Sequence, residues 1–102
     1  MGLFVYDNSR AIEVDDRLLA HLQVVIIDKL RRRECFTVSL TDGNRLALMW
    51  VSPFTPLQFI YHGNRPVRVN RAWVEALATN AGLTGVLALS PEPPEESPER
   101  KL

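Results

Sequence analysis

Arg65, Arg68 and Arg71 recur every third residue around Pro66 and Asn70, with Tyr61, His62 and Trp73 close by in the chain. Arginines interleaved with aromatic rings can hold phosphates through bidentate hydrogen bonds and stack on bases. Arg31, Arg32 and Arg33 form a second run of cations, and the two clusters together are the candidate nucleic-acid-binding residues. A plainer reading is also open. In it the triple arginine offsets the negative end of a helix dipole, and Arg65, Arg68 and Arg71 are solvated loop charges beside a core Trp73.

Other chemistries find little material. A zinc site needs about four ligands at characteristic spacing, whereas Cys35, His21 and His62 fall in three separate elements. The glycines Gly2, Gly43, Gly63, Gly82 and Gly85 are scattered as turn or cap residues, so no phosphate-cradling loop forms. Asp15 and Asp16, near Glu13, are placed as helix-start residues rather than as an acid–base pair. His21 is expected near the polar edge of a helix and His62 at a strand end, each at a surface or boundary. Cys35, the one cysteine, can form no intrachain disulfide and reads as a small hydrophobe in or beside a strand. No metal, no cofactor and no catalytic residue is assigned, and the expectation is a non-enzymatic protein.

The elements that would carry these residues follow from periodicity and turn chemistry. Leu3 to Tyr6 and Ala11 to Val14 flank the turn-forming cluster Asp7-Asn8-Ser9-Arg10 and predict a hairpin. A helix is expected over 16–32, with Leu18, Leu19, Leu22, Val25, Ile26 and Leu30 in one apolar sector. Val24 and Ile27 fall outside that sector, which implies either burial on a second side or a protein interface. Phe36 to Thr41 alternates apolar and hydroxyl residues, and Arg45 to Val51 follows with Leu46, Leu48 and Trp50 on one face; Asp42-Gly43 between them predicts a tight hairpin. Pro53 and Pro56 punctuate a loop before a strand over 57–61. Asn70 caps a short second helix carrying Trp73, Ala76 and Leu77, which Asn80-Ala81-Gly82 should stop before a last strand over 85–89. The order β-β-α-β-β-β-α-β joins neighbours by hairpins, so the fold class is α+β, a mostly antiparallel sheet with two helices on one face.

With 102 residues, 46% of them hydrophobic and 24% charged, the chain has apolar material for one core. A single domain over 1–89 is expected, followed by a disordered Pro/Glu-rich tail over 90–102. That tail holds Glu92, Glu95, Glu96 and Glu99 against Arg100 and Lys101, leaving a body with ten basic and eight acidic residues. Such a small surplus does not by itself argue for nucleic acid. The longest apolar run, Val24 to Ile27, falls far below the roughly 20 residues of a membrane span, and no basic segment precedes an apolar one at the start. A cytoplasmic protein with no membrane partner is expected.

The blocks Gly2-Leu-Phe-Val-Tyr-Asp7, Val14-Asp-Asp-Arg-Leu-Leu-Ala-His-Leu-Gln23, Lys29-Leu-Arg-Arg32, Tyr61-His-Gly-Asn-Arg-Pro66 and Asn70-Arg-Ala-Trp-Val-Glu-Ala-Leu77 resemble an uncharacterised family of roughly hundred-residue proteins from actinobacteria and their phages. Members of it often carry the label "ATP-dependent DNA ligase". A ligase takes its adenylyl group on a lysine in a Lys-x-Asp-Gly setting, which neither Lys29 nor Lys101 provides. The expected function is therefore an interaction module that binds an unknown protein partner or a second copy of itself, through Val24 and Ile27 or through an open sheet edge. The alternative is a nucleic-acid-binding accessory protein using the two arginine clusters.

Overall fold

The structure, a computed structural model, describes residues 1–95. The element order is β1 (Gly2–Tyr6), β2 (Arg10–Val14), α1 (Asp16–Arg31), β3 (Phe36–Asp42), β4 (Arg45–Val51), β5 (Leu57–Ile60), α2 (Arg71–Thr84) and β6 (Val86–Leu87). That is the expected α+β order. The strands divide between two three-stranded sheets, β2-β1-β5 and β4-β3-β6. Three of the four pairings are antiparallel, and β6 runs parallel to β3 because α2 returns the chain across the molecule.

Local chemistry sets both hairpins. Asp7 and Asn8 adopt φ of 53° and 57°, the left-handed pair that a hairpin turn with right-handed strand twist needs and that Asx side chains tolerate. In the second hairpin Asp42 closes against Arg45, so the two-residue turn is Gly43-Asn44, with Gly43 at φ 62°. This closure sets the whole register. Phe36 faces Val51, Val38 faces Met49 and Leu40 faces Ala47, all buried, while Thr37, Ser39 and Thr41 face Trp50, Leu48 and Leu46 on the other side.

The core joins both sheets and both helices. Ile12, Phe4 and Phe59 form one cross-strand row in the first sheet, with the rings of Phe4 and Phe59 5.7 Å apart. Leu19, Leu22, Val25 and Ile26 of α1 are buried in the same cluster, and Leu18 and Leu30 are partly buried against it. Each fully buried leucine or isoleucine contributes about 1.5–3 kcal/mol relative to exposure. In α2, Trp73, Leu77 and Ala81 repeat every fourth residue and face inward. The helix therefore runs through Gly82 rather than stopping there. Gly85 ends it instead, left-handed at φ 77°, with its N–H on the Ala81 carbonyl at 2.8 Å.

The domain does not end at Leu89. Trp73 Nε1 donates to the Ser90 carbonyl at 3.1 Å, Asn70 Nδ2 donates to Pro93 O at 2.8 Å, and Glu92 accepts from Arg17 and Asn70. Residues 90–95, expected in a disordered tail, lie against α1 and the start of α2 because their carbonyls and one carboxylate satisfy polar groups there. Residues 96–102 of that expected tail lie outside the described residues.

Candidate functional site

Three side chains from the first turns of α1 hold the irregular segment between β5 and α2. The Asp16 carboxylate accepts the His62 and Gly63 backbone N–H groups, both at 3.1 Å, and these two bonds hold its pKa below the ordinary aspartate value. Arg17 donates to the Arg68 carbonyl at 3.1 Å. His21 accepts the Asn70 N–H on Nε2 at 2.8 Å, and its Nδ1 lies 2.6 Å from the Arg17 carbonyl. A backbone N–H can only donate and a carbonyl only accept, so the ring carries its proton on Nδ1. His21 is 0% exposed and packs on Trp73 at 4.5 Å, a buried linker rather than the boundary residue expected from its helical position. Asp15, at the N-cap, makes no side-chain cap bond; its neighbour Asp16 clamps the loop instead.

Asn70 is the hub of this region and is 1% exposed. Its Oδ1 caps α2 through the Ala72 N–H, its Nδ2 donates to Glu92 and Pro93, and its own N–H is held by His21. Glu92 also receives Arg17 Nε at 2.7 Å. Arg17 first and Asn70 second hold the Glu92 pKa down at about 2.

Between α1 and the held segment lies a cleft of about 390 Å³, floored by Ala20, Val24, Val67 and Val69, with Arg65 at its rim. A second hollow against Arg71, Val74 and Glu75 shares Val24 and Val69 with it. The Tyr61 hydroxyl donates to Gln23 Oε1 within the first cleft, and burial pushes its pKa up. Val24, expected at an interface, is exposed there, whereas Ile27 is partly buried. Among the cations, Arg32 pairs with Asp28 and Glu34, and Arg68 with Glu95. Arg31, Arg33, Arg65 and Arg71 make no ion pair among the described residues. Arg31 to Arg33 lie at and just beyond the C-terminal end of α1, whereas Arg17 near its start holds the Arg68 carbonyl and Arg65 and Arg71 border the hollows that reach Val24 in the middle of the helix.

Cys35 lies beside a strand, as expected, in the position just before β3, but it is exposed rather than packed as a small hydrophobe. Lys29 is buried, with Nζ 3.0 Å from Glu34 Oε1 and over the Phe36 ring, which gives this lysine a structural role. No group of three or more His, Cys, Asp or Glu residues that could hold a metal occurs among the described residues.

The largest feature not assigned from the chain is the outer face of β4. Leu46, Leu48 and Trp50 are 67%, 62% and 60% exposed and form a continuous row, while Ala47, Met49 and Val51 face the core. β4 is an edge strand, paired with β3 alone. Both faces of this strand are apolar, and the signal that separates them is register. A two-residue turn places Leu46, Leu48 and Trp50 beside the hydroxyl row of β3, which marks the outside.

The chain matches the family model described as domain of unknown function DUF7882 over residues 1–92 and belongs to that family. No curated protein and no solved structure matches it.

Proposed function

We propose that this DUF7882 chain is a small non-enzymatic protein-interaction module that binds through the outer face of the β3–β4 hairpin. The observation behind this reading is the row Leu46, Leu48 and Trp50, three large apolar side chains more than half exposed on an edge strand. Single exposed apolar residues are ordinary, whereas a contiguous apolar patch marks a contact surface. Edge strands that avoid partners carry lysine, proline or a bulge; β4 has none of these, and Arg45 at its start is its one charge. The cleft that includes Val24 is a second, smaller candidate surface.

A benzophenone amino acid at position 46 tests the reading in cells. It should give polypeptide adducts on irradiation, and the same group in place of Leu83, exposed on α2, should not. Absence of any adduct at position 46 would remove the reading. A cytoplasmic setting belongs to the proposal, supported by the absence of any helix long and apolar enough to cross a membrane among the described residues. So does an actinobacterial or phage setting, supported by the sequence resemblance. The nucleic-acid reading has less behind it, because Arg32 and Arg68 are already paired with carboxylates. DNA binding that weakens steeply with salt would bring it forward.

A further inference from the structure

The outer face of the β4-β3-β6 sheet has an unusual composition. Trp50, Leu48 and Leu46 run along β4, Thr37, Ser39 and Thr41 run beside them on β3, and Val86 follows Thr37 on β6. No charged side chain stands in this field. Asp42 and Arg45, at its end, alternate onto the other side of the hairpin, where Asp42 meets Arg10 at 2.7 Å. We propose that this face is covered by the same face of a second copy of the chain, in a two-fold dimer with Leu48 at the axis. The proposal rests on the protein-interaction reading above and names its partner.

Three observations single out a second copy. A two-fold contact places like residues near one another, so any central charge would oppose its own kind; here none is present. Leu48 is the middle of the row, so a two-fold lying in the face and passing through it superposes one apolar row on the other. The area is also that of a small contact. At their exposures the three apolar side chains offer roughly 400 Å², at the scale of functional patches. The hydroxyl row and Val86 extend the face toward the roughly 800 Å² per partner of a stable contact.

Stacking face to face is also what the edge allows. With Asp42 and Arg45 as the closing pair, the N–H and C=O groups of Leu46, Leu48 and Trp50 point away from β3. The Tyr6 hydroxyl donates to the Trp50 carbonyl at 2.6 Å and so occupies that edge at one end. Adding a strand at the edge would leave the three side chains in water, whereas face packing removes them from it.

Light scattering on the purified chain across a concentration series should give twice the 11.6 kDa chain mass. Leu48→Lys should weaken the dimer by about a hundredfold or more, since two ammonium groups then meet at the axis. Far-UV circular dichroism should be unchanged, because the position is exposed on the single chain. Leu83→Lys should leave the dimer intact. As an independent arm, Leu48→Cys in a Cys35→Ser background should cross-link to a dimer with a short bismaleimide, and Leu83→Cys should not. A monomer at millimolar concentration, or a dimer indifferent to Leu48→Lys and uncross-linked at position 48, overturns the proposal. If the chain is monomeric but position 46 captures other polypeptides in cells, the second copy is the wrong partner and the interaction reading stands. If position 46 captures nothing, both fall.

Discussion

Asn70 joins three parts of the molecule through one side chain and one backbone N–H: the α2 cap, the buried His21 on α1, and the segment carrying Glu92 and Pro93. Asn70→Ala removes the cap and leaves the Pro93 carbonyl without its donor, and should cost about 2–3 kcal/mol in chemical denaturation. Glu92 supplies a pH dependence at the same place. Its folded pKa of about 2 lies below its ordinary 4.5, so its contribution is complete above 4.5 and is lost as pH falls toward 2. Trp73, whose indole N–H bonds Ser90, should report this: its fluorescence should change in that acid window in the wild type, and the change should disappear in Glu92→Gln. Neither role was legible beforehand. Asn70 reads as a cap from its neighbours alone, but its bonds to His21 and Glu92 span 49 and 22 positions of the chain.

The elements were set by short-range chemistry, and α2 shows where that chemistry misleads. Asn80-Ala81-Gly82 looks like a helix stop, yet Ala81 lies on the buried stripe and tertiary packing carries the helix through to Thr84. The two glycines should therefore respond oppositely. Gly82 is exposed in the last turn of α2 with nothing within 4 Å of an added Cβ, so Gly82→Ala should stabilise by about 0.5–1 kcal/mol. Gly85 also has open space around it, but its φ of 77° puts Gly85→Ala at a loss of about 1 kcal/mol. Thermal or urea denaturation of the pair tests both signs. If both substitutions stabilised the protein, the assignment of Gly85 as the helix terminus would be wrong. The β3–β4 hairpin was the element most legible from sequence. The outward direction of Leu46, Leu48 and Trp50 required its register as well as its turn.

For the whole molecule, the consequence is a domain that includes its proline-rich end at least to Glu95. Chains 1–95 and 1–89 should differ: the shorter one lacks the Ser90, Glu92 and Pro93 partners of Trp73, Arg17 and Asn70, and should unfold at lower urea with a more exposed Trp73. Equal midpoints would show that these bonds contribute nothing to stability. The family match over 1–92 likewise takes in Glu92. Low apolar content suggested that this segment could not order itself, and it does not order alone. It is held by an arginine from the first turn of α1 and an asparagine at the start of α2.

Sequence alone determined the α+β class, the order of eight elements, both hairpins and the inward stripe of α1. Each of these depends on residues a few positions apart, where periodicity, Asx and glycine turns and helix caps act directly. Tertiary structure decided what those elements face. It chose the inner side of β4, because both sides are apolar and only the α1, α2 and sheet contacts on one of them exclude water. It buried His21 by bringing an N–H from Asn70 to its ring. The candidate surface was thus written in the chain as Leu46, Leu48 and Trp50, but its exposure came from packing between segments far apart in sequence.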